Sequence, residues 1–125
     1  MPSLNRVQLI GRLGHDPKSR STSKGNKVAS FSLAVDHNWK SASGEVKKTT
    51  DWFMIEFWGK LADVTLKYLK KGRLVYVEGR LKTDKYEDKG ETKYFTKVIG
   101  GVLQMLEKKA DDVVAEVPEE EPADE

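Results

Sequence analysis

The alternation of apolar and polar positions is clearest over residues 51–59, where it repeats every second residue. One face of this segment is wholly apolar and is formed by Phe53, Ile55 and Phe57. The opposite face holds two tryptophans, a methionine and a carboxylate: Trp52, Met54, Glu56 and Trp58. A period of two with aromatic and β-branched residues predicts a β-strand. The tryptophan face is typical of a strand buried on both sides, of a surface covered by a partner subunit, or of an open platform that receives flat bases.

Four other segments alternate in the same way, and they predict strands over residues 5–13, 27–35, 73–81 and 94–106. The second of these runs on toward Trp39 and leads into a predicted solvent-exposed hairpin loop over residues 40–48. Glycines at positions 11, 14 and 79 mark candidate bends or bulges, and the Gly100-Gly101 pair marks a candidate break. The polar, turn-rich residues 14–26 predict a loop.

Residues 60–69 change to a helical period and predict one short α-helix. Ala62, Leu66 and Leu69 fall on its apolar face, and Gly72 is expected to be the residue that ends it. Residues 82–91 then predict a charged hairpin, with its turn at Asp88-Lys89-Gly90.

The small formal net charge of +2 conceals two oppositely charged parts of the chain. Residues 1–106 carry 20 Lys and Arg against 11 Asp and Glu, whereas residues 107–125 carry 2 against 9. We expect residues 1–106 to form one folded domain that binds a polyanion. We expect residues 107–125 to be a disordered acidic tail, because they are too polar to bury a core. The tail either competes for the basic surface, recruits a partner, or merely keeps the protein soluble.

The sequence argues against catalysis and against a metal or cofactor site. It has no cysteine, and neither His15 nor His37 lies in a metal-ligand spacing. No serine lies in the context of a catalytic nucleophile. No apolar run is long enough to cross a bilayer, and the first residues do not form a signal peptide. We therefore expect a cytoplasmic binding protein with no enzymatic activity, no cofactor and no membrane partner.

Three strands, a helix and two further strands are the element order of an OB-fold. In that fold the helix lies between the third and fourth strands, and the loops after strands one and four commonly flank a ligand face. The sequence thus predicts an all-β protein with one short helix, built as a five-stranded OB-fold barrel with extended hairpins. An SH3-like barrel is the alternative, and the intervening helix argues against it.

Several motifs resemble those of the bacterial single-stranded DNA-binding protein family. In chain order they are Asn5-Arg6-Val7, Gly11-Arg12-Leu13-Gly14, Asp51-Trp52-Phe53, Phe57-Trp58-Gly59-Lys60, Tyr68-Leu69-Lys70-Lys71-Gly72, Val75-Tyr76-Val77-Glu78-Gly79-Arg80-Leu81 and Gln104-Met105-Leu106. The resemblance implies a homotetramer, with a dimer as the alternative, that wraps single-stranded DNA around its surface. Family tails usually end in Ile-Pro-Phe, which recruits replication and repair proteins. This sequence ends in Glu121-Pro122-Ala123-Asp124-Glu125, so that recruitment is not carried over.

The resemblance also implies particular site residues. In the family, aromatic residues stack on bases at the positions that match Trp39, Trp52, Trp58 and Tyr86. Around them we expect phosphate contacts from seven basic residues: Arg6, Arg12, Lys60, Lys71, Arg73, Lys82 and Lys85. Met54, where the family often has arginine, and Glu56, a carboxylate on the expected DNA face, depart from the family pattern.

The resulting hypothesis is sequence-independent binding and protection of single-stranded DNA in replication, recombination and repair, by a nucleoid-associated protein. Stacking tolerates any sequence because every base has a π-face. An RNA-binding or primosome-type OB-fold module is one alternative. A structural subunit is another, and it predicts that the tryptophans are buried.

Overall fold

The computed structural model describes residues 2–107, which form six β-strands and one α-helix. The strands are β1 (Val7–Leu13), β2 (Lys18–Ser21), β3 (Lys27–Lys40), β4 (Val46–Trp58), β5 (Leu74–Asp88) and β6 (Glu91–Met105), and the helix is α1 (Lys60–Tyr68). The predicted disordered tail lies outside the described residues, except for its first residue, Glu107.

Five of these strands close into a barrel. They are hydrogen-bonded in the order β1-β5-β6-β4-β3, and β3 returns to β1 at Arg12 and Leu13. β4 and β6 run parallel, with Ile55 opposite Val98, and the other neighbouring strands run antiparallel. This architecture, with α1 between β4 and β5, confirms the predicted five-stranded OB-fold barrel.

β2 is a strand that the sequence pattern does not predict. The pattern predicts a loop over residues 14–26, but Lys18–Ser21 pairs antiparallel with β3. All four β2 residues are exposed, so the strand forms by backbone hydrogen bonding without an apolar face. It lies beside β3 and holds Arg20 opposite Val28.

The apolar faces of the strands meet in one core inside the barrel. Phe31 of β3 and Ile55 and Phe57 of β4 are fully buried, and the two phenylalanine rings stack with centroids 6.2 Å apart. Val98 of β6 belongs to the same cluster, and Phe53 is half-buried against it. Each of these large side chains contributes roughly 1.5–3 kcal/mol to stability when it is fully buried. The predicted apolar face of β4 is confirmed.

A β-bulge bends the sheet between β5 and β6. Glu78 pairs with Val102 and Gly79 pairs with Gly100, so Gly101 is the extra residue on β6. The bulge predicted at Gly79 is therefore confirmed. The break predicted at the glycine pair is wrong, because β6 runs through it without interruption.

Two glycines allow close approach inside the barrel. A β-carbon on Gly11 would overlap the Ala34 carbonyl oxygen, and one on Gly100 would lie 2.6 Å from Cζ of Phe57. Both positions therefore need a residue without a side chain. The bend at Gly11 stays a prediction; the next residue, Arg12, pairs with both β5 and β3.

α1 contacts β2, β3 and β4 with a face that is partly polar. Its fully buried residues are Ala62 and Thr65, and the Thr65 hydroxyl donates a 2.7 Å hydrogen bond to the Leu61 carbonyl oxygen. The hydrophobic pattern includes Ala62 but misses Thr65, because threonine is polar. Its hydroxyl can nevertheless be buried when it forms a hydrogen bond within its own helix. Leu66, which the pattern places on the apolar face, is only half-buried.

Gly72 does not end the helix, contrary to the prediction. The helix ends at Tyr68, and Leu69 follows it in an extended conformation. Gly72 has a φ of 87° and lies in the next turn, which is closed by a 3.1 Å hydrogen bond from the Arg73 N–H to the Lys70 carbonyl oxygen. The glycine supplies the left-handed position of that turn.

Two hairpins continue beyond the barrel. The β3–β4 arm, residues 36–50, stays paired to its end, so its loop covers residues 41–45 and is shorter than the predicted loop. The β5–β6 arm, residues 82–97, ends in a two-residue turn at Lys89-Gly90. Lys89 and Gly90 have φ values of 52° and 83°, as a type I′ turn requires. The predicted extended hairpins and the second turn are confirmed.

Candidate nucleic-acid interface

The tryptophan face of β4 is open to solvent in this chain. Trp52 and Trp58 share that face because alternate strand residues point the same way, and they are 60% and 39% exposed. The Trp52 ring lies against Gly14, where a β-carbon would overlap its Cζ3 atom. Exposed indoles on a sheet face can receive flat bases. The exposure excludes a strand buried on both sides within this chain, and it fits both an open platform and a surface that a partner subunit covers.

The same face continues across β6 and β5. Glu56 of β4 lies opposite Ile99 of β6, which lies opposite Arg80 of β5. Because cross-strand partners share a face, alternate residues of the β5–β6 arm join this surface. We call it the stacking face, and its exposed aromatic residues are Trp52, Trp58, Tyr86 and Phe95.

A shallow groove on the stacking face brings cations beside an aromatic ring. Trp58, Arg80, Lys82 and Ile99 line it. The Lys82 Nζ atom is 3.7 Å from an Asp84 carboxylate oxygen, and such a half-exposed pair contributes little and is easily exchanged. The groove therefore offers a π-surface and two cations to one ligand, which suits a nucleotide.

Two of the predicted site residues lie on the opposite faces of the arms. Trp52 pairs with Ala34, an odd number of residues from Trp39 along β3, so Trp39 and Trp52 lie on opposite faces. Lys85 and Tyr86 are adjacent on β5 and therefore also lie on opposite faces. Both Trp39 and Lys85 are exposed. The structure therefore separates them from the stacking face while keeping them accessible.

Arg6 precedes β1, whereas Arg12 lies within β1, opposite Ala34, which in turn pairs with Trp52. Both arginines contact carboxylates. Arg6 Nη2 is 2.6 Å from Glu78 Oε2, and Arg12 Nη1 is 2.8 Å from Glu107 Oε1. The hydrogen bond and the charge of Glu107 raise the pKa of Arg12. A phosphate would have to displace a carboxylate to bind either guanidinium.

Lys60 and Lys71 are exposed, but Arg73 is not. Lys60 begins α1 two residues after Trp58, and Lys71 lies in the turn that follows the helix. Arg73, which is also predicted as a phosphate ligand, is only 5% exposed. Its carbonyl oxygen accepts a 3.1 Å hydrogen bond from the Leu13 N–H at the end of β1.

Glu56 is buried within the stacking face and is neutralised there. Its Oε2 atom accepts 3.0 Å hydrogen bonds from Arg20 and Lys97, and its Oε1 atom accepts a 3.2 Å hydrogen bond from the Trp58 Nε1–H. Burial alone would raise the pKa of Glu56, but the hydrogen bonds from Lys97 and Arg20 outweigh it, so that pKa is lowered. Burial opposes the charge of Lys97 as well, and hydrogen bonds to Glu56 and Asp84 nevertheless raise its pKa. This carboxylate therefore does not present an uncompensated negative charge to a polyanion.

Sequence reasoning misses four residues of the stacking face: Arg20, Arg80, Phe95 and Lys97. Arg20 is missed because β2 has no apolar alternation. The other three could have been predicted from Tyr86, because every second residue of a strand lies on the same face. Counting back from Tyr86 reaches Arg80, and counting on from its cross-strand partner, Lys93, reaches Phe95 and Lys97.

A second surface, which we call the β1 face, lies on the outer side of β1 and β5. The Tyr76 hydroxyl donates a 2.7 Å hydrogen bond to Glu78, and the Gln8 side chain donates a 3.0 Å hydrogen bond to the Tyr76 oxygen. Ile10 on the same side is 55% exposed. Among residues 2–107, the second edge of β1 is without a strand partner over residues 7–11. An exposed apolar residue beside an open strand edge is typical of a surface that another chain covers.

His15 has a structural role in the loop after β1. Its Nε2 atom accepts a 3.2 Å hydrogen bond from the Ser32 N–H, and its Nδ1 atom lies 2.7 Å from the Asp16 carbonyl oxygen. The Asp16 carboxylate accepts a 2.8 Å hydrogen bond from the Lys71 N–H. Within residues 2–107, no three or more His, Cys, Asp or Glu residues are grouped so as to hold a metal ion. None of the helical segments in that range has the length and apolar character needed to span a membrane.

Comparisons with known proteins agree with this geometry. A sequence profile of the Single-strand binding protein family matches residues 4–106. The chain is 47% identical over 108 residues to the single-stranded DNA-binding protein 1 of Chlorobaculum tepidum, and the alignment covers 85% of this chain and 67% of that protein.

Two solved structures have a similar fold. One is the Plasmodium falciparum SSB in complex with ssDNA, with a TM-score of 0.79 and 39% identity over 86% of this chain and 98% of that one. The other is a deletion mutant of the single-stranded DNA-binding protein from Thermus aquaticus, with a TM-score of 0.75 and 32% identity over 83% of this chain and 51% of that one. The chain therefore spans about half of the Thermus aquaticus chain. On the profile match and the sequence identity together, this chain belongs to the single-strand binding protein family.

Proposed function

We propose that this protein binds and protects single-stranded DNA without sequence specificity, in replication, recombination and repair. The observation that carries the proposal is the stacking face, where Trp52 and Trp58 are open to solvent beside Arg80 and Lys82. Stacking on such rings contributes roughly 1–3 kcal/mol per base and tolerates any base. Duplex DNA hides its base faces, so a stacking surface selects single strands. The related Plasmodium falciparum protein, whose structure is a complex with ssDNA, supports the proposal.

We assign the stacking role to four aromatic residues on the stacking face: Trp52, Trp58, Tyr86 and Phe95. Trp39 remains a proposed stacking residue, on the other side of the β3–β4 arm. A strand of DNA that contacts both Trp39 and Trp52 must pass around the edge of that arm.

Phosphate contacts are proposed for the exposed lysines: Lys60, Lys71, Lys82 and Lys85. Arg80 is added, because it lines the groove beside Trp58. Arg6 and Arg12 remain candidates that compete with carboxylates, and Arg73 is withdrawn because it is buried.

Tryptophan fluorescence tests the function directly. The protein is titrated with oligo(dT), with duplex DNA and with oligo(U), each at a low and a high salt concentration. We expect strong quenching by oligo(dT), little by duplex, and weaker binding at high salt because counterions are released. An absence of quenching by oligo(dT) would refute the stacking face. Tighter binding of oligo(U) than of oligo(dT) would favour the RNA-binding alternative.

A homotetramer, or a dimer as the smaller alternative, is proposed from the β1 face. Its open strand edge and exposed Ile10 suit a second copy of the chain. Sedimentation of Ile10→Asp should show smaller particles than the wild type. Val46→Asp is the matched control, because Val46 is 72% exposed at the end of the β3–β4 arm. A monomeric wild type, or equal dissociation of both variants, would refute the assignment.

The remaining elements of the proposal rest on family membership. The protein acts as a binding protein without catalytic activity, and it works with the DNA of the cytoplasmic nucleoid. Residues 1–106 are proposed as the DNA-binding domain and residues 107–125 as a separate acidic tail. No protein partner is assigned to the tail.

A further inference from the structure

A cluster of four charged residues lies within the stacking face and connects four strands. Glu56 of β4 is at its centre, with Arg20 of β2 and Lys97 of β6 each 3.0 Å from the same carboxylate oxygen. Lys97 also lies 3.1 Å from Asp84 of β5. The Glu56 and Lys97 side chains are almost completely buried, whereas those of Arg20 and Asp84 remain partly exposed. The cluster carries two positive and two negative charges.

The second oxygen of Glu56 is turned toward Trp58. It accepts a 3.2 Å hydrogen bond from the Trp58 Nε1–H, two residues along the same strand. A half-exposed indole could adopt several orientations, and a hydrogen bond to a charged, immobile acceptor selects one of them. Because Arg20 and Lys97 hold the other oxygen, the acceptor itself cannot rotate away.

We propose that Glu56 is a positioning residue: its carboxylate, fixed by Arg20 and Lys97, holds the indole of Trp58 in the orientation that stacks on a base. The inference rests on the proposed function and adds to it a residue that does not itself contact DNA. It also explains why a carboxylate lies on a surface that binds a polyanion. The rival explanation is that the cluster only fastens the strands together.

Glu56→Gln is the sharpest variant because it keeps the shape of the side chain. Its single carbonyl oxygen turns toward Arg20 and Lys97, so the amide NH2 faces the indole N–H and the Trp58 hydrogen bond is lost. We expect oligo(dT) binding to weaken about fivefold, the usual effect of one hydrogen bond. In a Trp58→Phe background, which keeps an aromatic ring but has no N–H, the same substitution should change affinity by less than about twofold.

A matched control separates this effect from a change in net charge. Asp63→Asn on α1 removes one negative charge from an exposed pair with Lys27, 2.8 Å apart, outside the cluster. It should bind oligo(dT) within about twofold of the wild type, as expected for a surface pair. If Glu56→Gln does not fold, Glu56→Leu combined with Lys97→Leu replaces the buried pair by apolar side chains, which folded proteins often tolerate. The same dependence on Trp58 is then expected of the double variant.

A second measurement does not use DNA. Hydrogen exchange of the Trp58 Nε1–H, followed by NMR and assigned by its absence in Trp58→Phe, should be slow in the wild type and faster in Glu56→Gln. An unchanged exchange rate, or an equal loss of affinity with and without the Trp58 indole, would overturn the positioning role. The cluster would then only hold the strands together. If the wild type itself does not bind oligo(dT), the proposed function fails while the exchange measurement still reports on the Glu56–Trp58 contact.

Discussion

Gly14 lies directly beneath the Trp52 ring, and its replacement by alanine tests whether that ring is a stacking platform. The new β-carbon would overlap Cζ3 of the indole and lie 3.0 Å from Cη2, whereas ordinary contacts begin at 3.4 Å. To restore an ordinary contact at Cζ3, the ring must therefore move outward by about 1 Å at that edge. Gly14 has no positive φ, so alanine introduces no backbone strain there. Because Trp52 is 60% exposed, its ring can move into solvent at little cost in folding stability.

The displaced ring should stack less well. A stacked base contributes roughly 1–3 kcal/mol, so a partial loss of about 1 kcal/mol corresponds to roughly fivefold weaker binding of oligo(dT). Trp52→Ala gives the upper bound, up to roughly a hundredfold for loss of the entire stack. Affinity is measured by fluorescence anisotropy of labelled oligo(dT), and thermal unfolding reports the stability of each variant.

Gly101→Ala is the matched control for Gly14→Ala. A β-carbon at Gly101 would meet only the Glu78 carbonyl oxygen, at 4.0 Å, which is an ordinary contact. It should therefore retain both wild-type affinity and wild-type stability. If Gly14→Ala also binds oligo(dT) as tightly as the wild type, the Trp52 ring is not a stacking platform in the orientation seen here.

Four further outcomes follow from the structure. Gly100→Ala should lower the free energy of unfolding by about 1–3 kcal/mol in a denaturant titration, because its β-carbon would overlap Cε1 of the buried Phe57 ring. Lys82→Ala should reduce the slope of log affinity against log salt by about 0.7, the value for one phosphate contact on a single strand. Folding lowers the pKa of Glu56, so its contribution to stability is present above the unfolded pKa and is lost as pH falls through the folded pKa. Between about pH 6 and pH 3, the melting temperature should therefore drop more for the wild type than for Glu56→Leu/Lys97→Leu. Deletion of residues 107–125 removes a formal charge of −7 and should tighten oligo(dT) binding at low salt but not at high salt; equal affinities at low salt would show that the tail does not compete with DNA.

The sequence predicts those elements that have one buried face. The alternation of Phe53, Ile55 and Phe57 identifies β4, because a strand against a core must hide every second side chain. Outside the core that signal vanishes. β2 and the strands of the β3–β4 arm have no buried face, so their lengths depend on backbone pairing that composition does not reveal.

The site is predictable as a set of residue types but not as an arrangement. The resemblance names the aromatic residues, and all four are exposed, but the face on which Trp39 lies depends on the register of the β3–β4 arm. Arg73 and Glu56 are the opposite case. Both are buried where distant segments meet: Arg73 shares a backbone hydrogen bond with Leu13, and Glu56 pairs with Arg20 and Lys97. Pattern within a single strand carries no information about such contacts.

The β3–β4 arm also limits how this protein can change in length. Five residue pairs extend it past the barrel, from Asp36↔Thr50 to Lys40↔Val46, a reach of roughly 17 Å at 3.4 Å per residue. Insertion or deletion of two residues in each strand would lengthen or shorten that reach and keep Trp39 on its present side. A change of one residue in each strand would turn Trp39 to the other side of the arm. None of these pairs contributes to the core, so the length of the arm can change by two residues in each strand without repacking the barrel. The length of the surface that the arm offers to DNA would change with it.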